Sequence, residues 1–238
     1  MYNQEGGLIM DYTFKIAGDQ SILVSFPSEI NDETSKLVRK LAGLIELKKV
    51  EGIEEVILGY SSLLIHYNPI KIAYKSVQLK LEEMIHAIDL TEKEQTNLIE
   101  IPVLYGGEQG PDITDVARIN HLTEEEVIEI HTAPIYMVNF LGFTPGFPFL
   151  SGLSSKIHTS RLRDPRTKIK AGSVGIGNNQ TGIYPVSSPG GWTLIGHTPI
   201  TLYNPKSERP FLLSPGDMVK FKAITKEEYD RLGGDSNI

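Results

Sequence analysis

The chain has 238 residues, of which 40% are hydrophobic and 22% charged, with a formal net charge of −7 and no cysteine. That length and apolar content fit one or two globular domains, and the missing thiols exclude disulfides, cysteine nucleophiles and zinc–thiolate sites. Acidity argues against a nucleic-acid partner, which needs clustered Lys and Arg, and the short apolar runs argue against a membrane helix.

Residues 1–10 read as a disordered N-terminus, with Met10 as an alternative start. MYNQEGGLIMDY has no basic region followed by an apolar segment, so no signal peptide is expected, and the absence of cysteine suits a cytoplasmic location. Residues 11–92 read as an N-terminal α+β domain. From Tyr12 to Phe26 the residues Phe14, Ile16, Ile22, Val24 and Phe26 alternate around Gly18-Asp19, predicting strand, turn, strand. Asn31 is a candidate N-cap for a helix whose apolar face is Leu37, Val38, Leu41, Leu44 and Ile45. Strands follow at Ile53–Leu58 and Ser62–Tyr67, joined by Gly59-Tyr60-Ser61 as a hairpin. Asn68-Pro69 predicts the start of a second helix, with Val77, Leu81, Met84, Ile85 and Ile88 on one face. This β, β, α, β, β, α series predicts a small sandwich, a sheet with helices on one side.

TEKEQTN, residues 91–97, reads as a linker into a second domain at 97–225, and 226–238 read as a C-terminal tail. A strand is expected over Asn97–Val103, then short helices over Pro111–Ile119 and Thr123–Thr132. Thr123 with Glu126 forms a capping box. Beyond Ile135 short strands between Gly and Pro turns predict a β-barrel or sandwich.

The densest information lies in FLGFTPGFPFL, from Phe140 to Leu150, and AGSVGIGNNQTGIYPVSSPGGW, from Ala171 to Trp192. Glycines, prolines and aromatics interleaved in this way specify tight loops around an aromatic-lined binding surface. Phe140 reads as strand core. Phe147 and Phe149 alternate with prolines and line a pocket or plug a barrel end. Gln180, Thr181, Tyr184, Ser187 and Ser188 offer neutral donors and acceptors to a polar small molecule, or else cap local turns. Gly190 and Gly191 offer backbone N–H groups as an anion nest, or form a plain turn. Arg161, Arg163, Arg166, Lys168 and Lys170 sit in an expected loop, either solvated or rimming an anion site, with Arg166 the best single candidate. Glu108, Asp112 and Asp115 follow Tyr105-Gly106-Gly107; Asp112 and Asp115 share a helix face near its positive N-terminus, where capping explains them, with a catalytic role as the alternative. No phosphate loop, nucleophile elbow or metal-binding histidine pair is present, and no metal is expected. Gly172–Gly177 has the wrong spacing for a dinucleotide loop. No catalytic residue is identified.

These two segments, with SPGGWTLIGHTP from Ser188 to Pro199, YGGEQGPDITDVA from Tyr105 to Ala117 and RPFLLSPGDMVKF from Arg209 to Phe221, resemble the ordered motif blocks of one family. It is the family of 5-oxoprolinase B subunits, also called the allophanate hydrolase subunit 1 or kinase-A inhibitor family. The resemblance implies a cyclophilin-like β-barrel for the second half. It implies an ATP-dependent 5-oxoprolinase subunit, inactive alone, that works with subunits C and A to turn 5-oxoproline into glutamate. ATP would be a co-substrate of the complex, bound with a partner subunit.

Two departures from the family pattern stand out. His197 occupies a position where the family usually has arginine; as a substrate contact it would keep a donor but lose the bidentate fork. Ile169-Lys170 replaces Val-Pro after Arg166. The resemblance also implies an alternative role, an inhibitor docking on the dimerisation region of a sensor histidine kinase through Phe143, Pro145, Phe147 and Pro148. A prolyl isomerase reading rests on the barrel analogy alone.

Overall fold

The computed structural model describes residues 11–27, 32–92 and 96–233. The expectations for residues 1–10, for Asn31 as an N-cap and for part of the 91–97 linker fall outside the described residues. The chain divides into two compact units, residues 1–94 and 95–238.

In the first unit, β1 (Thr13–Ile16), β2 (Ser21–Ser25), β3 (Ile53–Leu58) and β4 (Ser62–Tyr67) form an antiparallel sheet in the order β1-β2-β4-β3. Helices α1 (Asp32–Lys48) and α2 (Tyr74–His86) follow β2 and β4. Ile22, Val24, Leu63 and Ile65 alternate onto one sheet face and are fully buried. They share a core with Leu37, Val38, Leu41 and Ile45 of α1 and with Val77, Leu81, Met84 and Ile85 of α2. Two details differ from the sequence reading. Ile16 is 74% exposed, because it ends an edge strand where no helix covers it. Asn68-Pro69 does not start α2: the Asn68 carboxamide oxygen accepts from the Ile70 N–H at 3.0 Å, closing a separate turn, and the helix starts at Tyr74.

The second unit is a closed barrel of seven strands. They are β5 (Leu98–Tyr105), β6 (Tyr136–Leu141), β7 (Pro148–Ser151), β9 (Ser173–Gly177), β10 (Gln180–Ile183), β12 (Thr193–His197) and β13 (Met218–Ala223), in the order β10-β7-β6-β13-β5-β12-β9. Only β13–β5 is parallel. A separate two-stranded ribbon joins β8 (Arg166–Ile169) to β11 (Ser188–Gly190). Helices α3 (Ile113–Ile119) and α4 (Glu124–Thr132) lie between β5 and β6, and the capping box of Thr123 with Glu126 forms as expected. The segment read as a tail contains α5 (Lys226–Arg231), whose Tyr229 is fully buried.

Val103, Val138, Leu150, Val174, Ile176 and Ile195 fill the barrel with no exposure. His131 is buried among them with both ring nitrogens occupied. Thr181 donates its hydroxyl to the Gly175 carbonyl at 3.0 Å and therefore accepts from His131 Nε2–H at 2.9 Å. His131 Nδ1 accepts from the Tyr105 hydroxyl at 2.7 Å. Burial holds this imidazole neutral, pushing its pKa down to about 3.

Candidate functional site

A second, smaller cluster stands apart from the barrel core and comprises Phe147, Ile169, Tyr184, Trp192 and Leu194, with Phe149 against it. Its rings meet edge to face: Phe147 lies 5.2 Å from Tyr184 and 5.3 Å from Trp192, at 77° and 88°. A β-bulge in β6 between Val138 and Phe140 feeds this cluster. The extra residue, Asn139, resets the alternation, so Phe140 pairs with Phe149 and stacks on it at 4.5 Å. Phe140 is thus not barrel core.

Over this cluster lies a cavity of about 450 Å³. Phe147, Phe149, Tyr184 and Trp192 form its aromatic wall. Ser188, Pro189, Gly190 and Gly191 come from β11 and its continuation, Arg161 and Pro165 from the segment before β8, and Phe143 and Thr144 from the β6–β7 turn. Phe143 is 67% exposed and has φ of 64°, a backbone region that costs a bulky residue about 1–2 kcal/mol. Its ring stands edge-on to Phe147 at 5.7 Å. Glycine is required at 190: a Cβ there would lie 2.8 Å from Ile169 Cδ1 and overlap the Tyr184 hydroxyl.

The polar atoms around the cavity are few. The hydroxyls of Thr144 and Ser188 are buried and have no hydrogen-bond partner among the described residues. Such groups are rare in native proteins and call for a ligand or water. Burial pushes the Tyr184 phenol upward, offset in part by a hydrogen bond from the Trp192 backbone and by the charges of Arg161 and Arg166. The Arg161 guanidinium lies 5.8 Å from the centre of the Trp192 ring. No carboxylate and no histidine lines the cavity. No cluster of three His, Asp or Glu able to hold a metal occurs among the described residues.

Seven expected site residues meet here: Phe143, Phe147, Phe149, Tyr184, Ser188, Gly190 and Gly191. Others are placed differently. Arg166 is in a strand, not a loop, and its Nη2 pairs with Asp112 Oδ1 at 2.6 Å. Asp112 makes no cap to α3; its other oxygen accepts from the Leu194 N–H at 2.7 Å. The pair therefore ties the β8–β11 ribbon to barrel strand β12. Gln180 opens β10 opposite Gly177, away from the lining. His197 is buried and does not line the cavity: its Nε2–H donates to the Ala171 carbonyl at 2.7 Å, and its Nδ1 accepts from the Tyr229 hydroxyl at 2.7 Å. Gly190 is strand and neither it nor Gly191 has positive φ, so no αR–αL nest forms. Of the four partner-docking candidates, Phe143 and Pro145 are exposed, but Phe147 is only 2% exposed and Pro148 is buried.

The sequence reading missed Thr144 and did not single out Arg161 or the pairing role of Asp112. A lone Thr inside FTPG carries no signal, and the partners of the other two lie far away in sequence. Two further hollows in the first unit, about 560 and 530 Å³, are open and lined largely by Lys and Glu. No helix among the described residues is long and apolar enough to cross a membrane.

Comparison with known proteins bears on this site. The family model "Carboxyltransferase domain, subdomain C and D" matches residues 12–213. The 5-oxoprolinase B subunit of Bacillus subtilis (strain 168) is 42% identical over 95% of this chain and 98% of its own. The Haemophilus influenzae protein of the same name is 44% identical over 74% of this chain and 82% of its own. The crystal structure of TTHA0988 superposes with a TM-score of 0.77 at 33% identity, covering 87% of this chain and 40% of that longer one. Ordered motif blocks, a closed barrel and near-full-length identity agree: this chain belongs to the family of 5-oxoprolinase B subunits, within the carboxyltransferase subdomain C and D family.

Proposed function

We propose that this chain is the B subunit of an ATP-dependent 5-oxoprolinase and that the cavity over Trp192 holds the lactam substrate. The observation that carries this reading is an aromatic-walled cavity whose lining includes Thr144 and Ser188, each with a buried hydroxyl that has no hydrogen-bond partner among the described residues. A planar ring amide has one N–H and one C=O, and a hydroxyl can accept from the first or donate to the second. Its apolar ring edge suits Phe147, Tyr184 and Trp192.

The same lining limits what the chain does alone. Opening a lactam to an amino acid is a hydrolysis: it requires an activated carbonyl, a positioned water to attack it, and a base to take that water's proton. The cavity has no carboxylate or histidine to act as base. Nor does it fit ATP, whose triphosphate needs several cations or a cradle of N–H groups, whereas Arg161 is the single cation in the lining. ATP and the base are therefore assigned to partner subunits C and A, and no step at the nucleotide is assigned to this chain.

Glutamate formation from 5-oxoproline and ATP tests this reading, with this chain alone, with subunits A and C together, and with all three. Glutamate only in the complete mixture supports it. Glutamate in the mixture lacking this chain refutes it. The geometry favours the kinase-inhibitor alternative less, since of its four docking residues Phe143 and Pro145 are exposed but Phe147 and Pro148 are buried.

A further inference from the structure

We propose that Arg161 is the carboxylate anchor of this cavity and makes it selective for ring amides that carry an acid group. The inference rests on the reading of the cavity as the 5-oxoproline site, and it replaces Arg166 as the anion contact. Arg166 does not line the cavity: its Nη2 pairs with Asp112 at 2.6 Å, and its Nη1 is buried without a partner among the described residues; Arg118 pairs with Asp115 at 2.9 Å. Arg161 makes no ion pair with a carboxylate among the described residues; its guanidinium instead faces the Trp192 ring. A cation–π contact at this distance attracts the guanidinium toward the indole and leaves its planar N–H fork for a carboxylate. Arg161 is also the single charged side chain in an otherwise uncharged lining.

The division of labour follows from the positions. Arg161 is exposed and takes the anion at the solvent side, so the carboxylate need not be buried. The ring lies against the aromatic wall, and the amide is assigned to Thr144 and Ser188, whose hydroxyls are buried and unpartnered among the described residues. A neutral lactam such as 2-pyrrolidinone satisfies the second half of this arrangement and not the first.

The test uses the complete assembly of this chain with subunits A and C. Arg161→Gln is expected to raise the KM for 5-oxoproline roughly ten- to hundredfold while leaving kcat within a few-fold. Arg161→Lys, which keeps the charge and loses the fork, is expected to fall between. The chain has one tryptophan, so intrinsic fluorescence reports on Trp192 directly. In the wild-type chain 5-oxoproline should perturb it at concentrations where 2-pyrrolidinone does not, and Arg161→Gln should erase that difference. An unchanged KM in Arg161→Gln with normal glutamate formation overturns the anchor and leaves the site reading intact. No fluorescence response to either lactam, with no glutamate from the assembly, overturns both.

Discussion

Arg166 Nη2 meets Asp112 Oδ1 at 2.6 Å across a sequence separation of 54 residues, while Asp112 Oδ2 accepts from the Leu194 N–H at 2.7 Å. One carboxylate thus ties together the β8–β11 ribbon, the entry to α3 and strand β12. Asp112 is 7% exposed, so removing it leaves a partly buried guanidinium and a buried N–H without their acceptor. Asp112→Ala is expected to lower stability by about 1–3 kcal/mol, read as a lower urea midpoint at unchanged slope. Asp112→Asn keeps one acceptor and is expected to cost less.

His131 makes stability depend on pH. Its pKa is about 3 in the fold and 6.5 when unfolded, so between these values the unfolded chain binds the extra proton. Its contribution is complete above pH 6.5 and is lost as pH falls below it, reaching about 2 kcal/mol lost at pH 5. The unfolding free energy measured at pH 7 and pH 5 should fall by more in wild type than in His131→Phe, which removes the titration. Equal falls would show that the imidazole does not remain neutral.

Phe143 separates backbone strain from ring contact. At φ of 64°, Phe143→Gly relieves strain that Phe143→Ala retains, while both lose the ring at the cavity mouth. The Gly variant is expected to be more stable than the Ala variant by about 1 kcal/mol, seen in thermal unfolding. Both are expected to lose affinity for 5-oxoproline to a similar degree. A large difference in affinity between the two would assign the effect to the loop backbone instead of the ring.

Local features were the ones legible in the sequence. The apolar segments on either side of the Gly59-Tyr60-Ser61 turn placed β3 and β4 at their observed limits, and Thr123 with Glu126 marked α4. The interleaved aromatics, glycines and prolines marked the cavity wall, because they need tight turns wherever the chain goes. Features set by distant partners were not legible. Asp112 looked like a cap because its helix is adjacent, yet its partners are Arg166 and Leu194. Phe140 followed the apolar pattern of a core strand until the bulge at Asn139 turned it outward. The helix α5 did carry a local signal, the capping box of Thr225 with Glu228, which the tail reading passed over. No local pattern marks His197 as a buried partner of Tyr229.

The unpartnered hydroxyls give the most direct test of the cavity as the substrate site. An unsatisfied buried hydroxyl destabilises the empty protein, so a site kept for substrate should trade stability for function. The decisive measurement is glutamate formation by the complete assembly carrying Thr144→Val and Ser188→Ala in this chain, beside the thermal midpoint of the same chain. The expected result is a midpoint equal to or above wild type with kcat/KM for 5-oxoproline reduced at least tenfold. Wild-type turnover with both hydroxyls gone would place the substrate elsewhere.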